Sequence, residues 1–79
     1  MDELQSLVEY IGRNLVEDPD TVTVEARRRG QIVVVVLHVP ADEMGKVIGR
    51  EGRIARSLRT LLTISASRRN LRASLDIHE

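Results

Sequence analysis

The first stretch of the chain repeats hydrophobic residues at helical spacing. The apolar positions are Leu4, Leu7, Val8, Ile11, Leu15 and Val16. This spacing predicts an amphipathic helix over about residues 2–16. The acids Asp2 and Glu3 suit the positive end of that helix, and Pro19 disfavours helical geometry in the residue before it. We therefore expect the segment Glu17-Asp18-Pro19-Asp20 to stop the helix.

Three later segments follow strand patterns. Residues 21–28 alternate between apolar and polar side chains, which predicts a half-buried strand. Residues 31–39 are almost wholly apolar and rich in β-branched side chains, as in the middle of a sheet. Arg29-Gly30 between them predicts a short turn and an antiparallel hairpin. Residues 71–78 alternate again and predict a third strand.

Two helices are expected between the second and third strands. Pro40 ends the second strand, and Ala41-Asp42-Glu43 has the character of a helix start. A helix of about fifteen residues follows a glycine-containing loop at residues 49–52. The predicted order is α-β-β-α-α-β. Because a strand-helix-helix-strand unit most simply returns parallel, we expect an α+β fold with a three-stranded mixed sheet and helices on one face.

Composition narrows the chemistry. The chain has no Cys, Phe or Trp, so disulfides and thiolate metal sites are excluded and the core must be aliphatic. Tyr10 is the one aromatic residue; we expect it to be half-buried on the helix shoulder, with base stacking as the alternative. His38, alone in an apolar strand, is expected to be structural or at an edge rather than a metal ligand. Without a signal peptide or a long apolar run, one cytosolic domain over residues 1–79 is expected.

Charge is unevenly distributed although the net charge is zero. Residues 1–40 carry seven acids and four bases, and residues 41–79 carry five acids and eight bases. All eight of those bases lie between Lys46 and Arg72, where Glu51 is the single acid. Such asymmetry indicates either a polyanion-binding face or a solvated helix surface, and charge alone does not separate the two.

The segment from Gly45 to Ile54 carries the clearest chemistry. Its sequence, GKVIGREGRI, places two glycines three residues apart at the start of a helix, with Arg50 between them. Unpaired amides and the positive dipole end at a helix start can hold a phosphate. A G-x-x-G sequence by itself is also common in plain helix–helix turns, so the motif needs its structural context.

In this context the chain resembles the KH domain, which clamps about four nucleotides with a G-x-x-G loop. A helix and strand before the core unit resemble the prokaryotic type II arrangement. The core would span residues 31–78, preceded by the helix and hairpin strand at 2–30. The run from Gly45 to Ala55 and the following Leu58-Arg59-Thr60 are similar to the bacterial KhpA family of small stand-alone KH proteins.

The resemblance implies which residues meet single-stranded RNA. The expected RNA-binding residues are Lys46, Val47, Ile48, Gly49, Arg50, Glu51, Gly52, Arg53, Ile54 and Arg56. The loop would hold phosphates, and bases would lie in an apolar groove that includes Leu58, although core packing is the preferred role for Leu58. Two positions depart from the common pattern: Glu51 is a carboxylate in a phosphate-binding loop, and Ala55 is small where a bulky aliphatic residue is usual.

A partner is expected because the core is small and one site without aromatic residues binds weakly. Leu61 and Ile64 lie beyond the core stripe of the last helix and are the expected dimer contacts. Ile32, Val34 and Val36 add apolar surface to the second face of the central strand. The resemblance implies self-association, pairing with a larger KhpB (Jag)-type RNA-binding protein, and post-transcriptional regulation touching cell division and envelope growth.

Other function classes have less support. The two histidines lie on predicted strands without a nearby nucleophile and acid, and Lys-Ser/Thr does not follow the second glycine as in a P-loop. No enzyme, cofactor, metal or small-molecule substrate is therefore expected. A KH-shaped protein-interaction module without RNA binding is the main alternative, favoured by Glu51 and opposed by the arginines. Single-stranded DNA in place of RNA stays open.

Overall fold

A computed structural model describes residues 3–79 and has the predicted order of elements. Helix α1 spans Glu3–Leu15, so the predicted helix is confirmed, with Asp2 outside the described residues. Glu3 lies in the first turn and Arg13 in the last, which suits the helix dipole at both ends. Asp18 caps a 3₁₀ turn at Pro19–Thr21 by accepting a hydrogen bond from the Asp20 amide. This turn leads the chain into the sheet.

The sheet is three-stranded and mixed, as predicted. Strand β1 (Thr23–Arg29) pairs antiparallel with β2 (Ile32–His38), and β2 pairs parallel with β3 (Arg72–His78). Strand β2 is therefore the central strand. Strand β1 continues through Arg29, one residue further than the alternating pattern indicated, and the hairpin turns at Gly30, whose φ is +60°.

Two helices connect β2 to β3. The segment predicted to start the first one, Ala41–Glu43, is a 3₁₀ turn, and α2 proper covers only Met44–Ile48. Pro40 precedes this turn in an extended conformation, with a ψ of 150°, and makes no side-chain cap hydrogen bond. Helix α3 spans Arg53–Ser67, the expected fifteen residues.

The helices cover one face of the sheet and enclose an aliphatic core. Alternate residues of β2, namely Val33, Val35 and Leu37, are buried against them. The other buried apolar residues are Leu4, Val8, Val16, Val22, Val39, Val47, Ala55, Leu58, Leu62, Ala66 and Leu75. The small side chain of Ala55 is itself buried in this core.

The opposite face of the sheet has no helix over it in the described part of the chain. Ile32 is 52% exposed there, and Val34 and Val36 are half-buried, as the pattern of β2 predicted. Tyr10 was predicted incorrectly: it is 70% exposed. It lies off the apolar stripe of α1, and no described element covers that side of the helix. Within residues 3–79, no helix is long and apolar enough to span a membrane.

Candidate nucleic-acid interface

The loop between α2 and α3 has a backbone that few residues can adopt. Gly49 has φ 76° and ψ 172°, a region open almost only to glycine. Glu51 (φ 56°, ψ 23°) and Gly52 (φ 75°, ψ 17°) follow in the left-handed helical region. Three of the four loop residues therefore have a positive φ, and the chain reverses between the helices within four residues.

Gly49 is required for a second reason, which is its contact with Ile54. A Cβ at position 49 would lie 2.6 Å from Cγ1 of Ile54 and 2.9 Å from its Cδ1. Gly52 is different, because a Cβ there would meet only the tip of Arg56, at 3.9 Å. Gly49 thus lies directly on the side chain of Ile54, whereas at position 52 only the backbone angles favour glycine.

The loop ends in a helix start without a side-chain cap. Gly52 is the N-cap residue of α3 and makes no side-chain cap hydrogen bond, and the first turn carries no acid. Two loop amides are already used, since Gly49 N–H donates to Gly45 O (2.9 Å) and Gly52 N–H donates to Gly49 O (3.1 Å). The positive end of a fifteen-residue helix therefore faces the loop without a neutralising carboxylate in its first turn.

Lys46 is held by acids of the neighbouring segments. Its Nζ lies 3.2 Å from Glu43 Oε2 and 3.6 Å from Glu17 Oε1. The hydrogen bond to Glu43 raises the pKa of the Lys46 ammonium above its usual value; burial opposes the rise and Glu17 supports it. The Glu17 amide also donates to Glu43 Oε2 (3.4 Å). Lys46 therefore joins the end of α1 to the start of α2, which leaves it less available to a phosphate.

Three arginines lie on the exposed surface of the loop and of the first turn of α3: Arg50, Arg53 and Arg56. Arg53 Nη2 lies 3.7 Å from Glu51 Oε2, and because both side chains are more than 70% exposed this pair is weak. A shallow groove beside the first half of α3 is lined by Arg53, Arg56, Ser57, Thr60 and Leu61.

Ser57 and Thr60 in that groove were not among the residues predicted from the sequence. The signal was present, since positions 53, 56, 57 and 60 share one helical face. Thr60 Oγ1 already donates to Arg56 O (3.0 Å). Arg59 lies on the other flank of α3, where its Nε donates to Leu75 O (3.3 Å) of β3. Arg59 thus ties α3 to the edge strand.

The apolar residues assigned to a base-binding groove divide into two groups. Val47 is fully buried and Leu58 is 2% exposed, so both belong to the core and present no surface to a ligand. Ile48 and Ile54 are half-buried beside the loop and keep part of their surface. Val47, which was expected to contact RNA, therefore contributes to the core beneath the loop and not to the contact surface.

Two further candidates lie away from the loop. His38 is on the central strand, with Nε2 3.9 Å from Glu25 Oε1 and its ring 6.1 Å from that of His78. Among residues 3–79, no group of histidines and acids has the arrangement of a metal site. Leu61 and Ile64 are 47% and 50% exposed on α3.

Comparison with known proteins agrees with this architecture. A family model described as the KH domain of KhpA/KhpB matches residues 5–77. A protein of Treponema pallidum named RNA-binding protein KhpA is 44% identical over 73 residues, covering 92% of this chain and 91% of that protein. Its namesake in Aquifex aeolicus is 42% identical over 79 residues, the whole of both chains. A third, in Chlamydia pneumoniae, is 38% identical over 96% of this chain and 97% of that protein.

Proposed function

The chain belongs to the KhpA/KhpB family of bacterial KH domains, and we propose that it binds single-stranded RNA with the Gly49–Gly52 loop as a phosphate clamp. Similar chains are named RNA-binding proteins, which supports RNA as the ligand. The observation that carries the clamp is the loop itself: left-handed residues lead into an uncapped helix start with no acid in its first turn. Such a helix start favours an anion.

The proposed contacts follow from which amides and charged groups around the loop are not already bonded. The amides of Arg50 and Glu51 hold a phosphate oxygen, because those of Gly49 and Gly52 already have partners. The exposed guanidinium groups of Arg50 and Arg56 add charge, and Arg53 contributes after leaving its weak pair with Glu51. Lys46 contributes least to phosphate binding, because it is paired with Glu17 and Glu43.

Bases lie against the free parts of Ile48 and Ile54 beside the loop. An aromatic platform would add about 1–3 kcal/mol per base, and Tyr10, the one aromatic residue of the chain, is on α1 rather than beside the loop. Binding is therefore weak and tolerant of sequence. This suits an RNA chaperone or post-transcriptional regulator in the cytoplasm that needs neither a cofactor nor a catalytic group.

The protein acts as a dimer in this proposal. Leu61 and Ile64 expose about half of their side chains on one helix, which is the kind of apolar surface that a partner covers. Two loops in one assembly raise affinity through effective concentration. The partner is a second copy or a larger protein of the KhpB (Jag) type, in keeping with the resemblance and with the family model that covers KhpA and KhpB together.

A protein-interaction module is the second candidate function, and the ion pairs of the loop region favour it. Lys46 is paired with two acids, and Arg53 is paired with Glu51 inside the loop. If these pairs persist in solution, Arg50 and Arg56 are the cations left to the loop site, and the domain would bind proteins through its apolar surface instead.

Fluorescence anisotropy with short unstructured RNAs at two salt concentrations separates the two functions. The test variant is Arg50→Asp with Glu51→Asp, which keeps both glycines. The control is Arg13→Glu on α1, which removes the same net charge from a residue outside the loop and α3; Arg13 is exposed and paired only with Glu9 among the described residues. We expect salt-sensitive binding that the loop variant loses and the control keeps, with unchanged circular dichroism. Equal binding by all three proteins would move the site elsewhere, and no binding by the wild type would favour the interaction module.

A further inference from the structure

Six arginines are gathered at the end of the molecule opposite the glycine loop. This arginine end consists of Arg27, Arg28, Arg29, Arg68, Arg69 and Arg72. Two turns that are distant in sequence lie side by side here, since Arg72 N–H donates to Gln31 O (2.7 Å). Ile32 is the register partner of both Arg29 and Arg72. The hairpin turn and the α3–β3 turn therefore present their arginines together.

All six arginines are exposed, and few acids neutralise them. Of the residues that the structure describes, Glu3 is the one acid that forms an ion pair in this group, with Arg69. Arg28 Nε donates to the neutral Gly30 O (2.9 Å), and no ion pair of Arg28 with an acid is found in the described part of the chain. The loop end is different, because two of its four cations are paired with carboxylates.

Packing accounts for only part of this cluster. Arg68 and Arg69 follow α3 and stabilise its negative dipole end. No such role exists for Arg29 and Arg72, which flank the exposed Ile32 on the open face of the sheet. Arg27, Arg28 and Arg29 also line a depression over Ile32 and Val34. Like charges held together at a surface are costly unless an anion joins them.

We propose that the arginine end is a second binding site for the phosphate backbone of single-stranded RNA. The inference rests on the proposed RNA-binding function and extends it to a surface remote from the loop. Arg binds phosphate oxygens in a bidentate manner and independently of base identity. One molecule would therefore hold two segments of one RNA, or segments of two RNAs, as an annealing chaperone must.

Helix α3 sets the spacing of the two sites. Its fifteen residues separate the loop from the arginine end by about 22 Å at 1.5 Å per residue. No acid occurs between Arg53 and Ser67, so the helix does not repel an RNA that follows it. An RNA of about four nucleotides fills the loop site alone, whereas about 16 nucleotides, a large single-strand site size, reaches both ends.

The experiment is fluorescence anisotropy over a salt series with RNAs of those two lengths. The test variant is Arg29→Gln with Arg72→Gln, and Arg13→Glu is the control with the same loss of net charge. We expect the test variant to bind the long RNA more weakly, with a salt slope lower by about 1.4, or about 0.7 for each phosphate that an arginine no longer neutralises. Its binding to the short RNA and its circular dichroism stay unchanged, and the control behaves as the wild type.

The outcomes separate the two proposals. Equal salt slopes for the test variant and the wild type on the long RNA would overturn the second site. A control variant that loses as much affinity for the long RNA as the test variant would overturn it too. If the test variant loses salt dependence on the long RNA while the loop variant does not, the arginine end is a binding site and the loop clamp is wrong. If the loop variant alone loses binding to both RNAs, the clamp stands without the second site.

Discussion

The two ends of α3 would attract an anion by different means. At the loop end, Gly49, Glu51 and Gly52 fix the backbone in rare conformations, and the positive end of the helix dipole faces outward. At the arginine end the helix dipole is negative and repels an anion, so attraction depends on the guanidinium charge of residues such as Arg29 and Arg72. The first end should be sensitive to backbone substitutions, and the second to charge and salt.

The largest effect is expected for Gly49→Ala. It combines a backbone region almost closed to alanine with a 2.6 Å contact to Ile54, so we expect a loss of about 3 kcal/mol in the free energy of unfolding. Gly52→Ala has space for its Cβ and only the left-handed penalty, and should lose about 1–2 kcal/mol. Urea denaturation measures both values.

Gly45→Ala is the control for that pair of substitutions. Gly45 lies in α2, is exposed, and has nothing within 4 Å of an added Cβ. Alanine there should stabilise the protein by about 0.5–1 kcal/mol. Similar destabilisation by Gly49→Ala and Gly52→Ala would show that Ile54 does not restrict the loop.

A smaller effect is expected at the proposed dimer contact. Ile64→Glu places a charge where two copies would meet and should weaken self-association at least tenfold, or by about 1.4 kcal/mol. The free energy of unfolding of the monomer should change by less than about 0.5 kcal/mol, because Ile64 is half-exposed. Analytical ultracentrifugation measures the association, with the adjacent exposed Thr63→Glu as control. A wild-type monomer at all micromolar concentrations would remove the dimer.

The smallest effect is expected for Lys46→Gln. The pKa of Lys46 is raised in the folded protein, so its pair with Glu43 stabilises the fold below pH 10.5 and loses this contribution as pH rises through the folded pKa. Wild type should therefore be slightly more stable than the variant at neutral pH, and the two should converge in strong alkali. Thermal melts from neutral to alkaline pH measure this difference. RNA binding should hardly change, and a large decrease in affinity would return Lys46 to the phosphate site.

The fold could be predicted from the sequence because each element has its own hydrophobic period. Alternation in residues 71–78 and helical spacing in α1 and α3 predict elements within one or two residues of the observed bounds. The exposure of Tyr10 could not be predicted in this way. The period of one helix identifies the side that faces the core, but not whether a neighbouring element covers the flank.

The candidate site could be predicted only in part. Two glycines three apart before an arginine-rich helix mark the loop, but the sequence cannot show that Lys46 is bound to Glu17, an acid 29 residues away. The charge pattern from Lys46 to Arg72 indicates one basic face, whereas the fold divides these bases between the two ends of α3. It also brings Arg27–Arg29 to the second end through a strand pairing that charge patterns do not encode.

The most direct test of the phosphate clamp is the change in backbone amide NMR signals when an RNA of about four nucleotides is added. The amides of Arg50 and Glu51 should shift most, followed by those of the first turn of α3, while the arginine end stays unchanged. Shifts centred on the open face of the sheet, with the loop amides unmoved, would contradict the clamp.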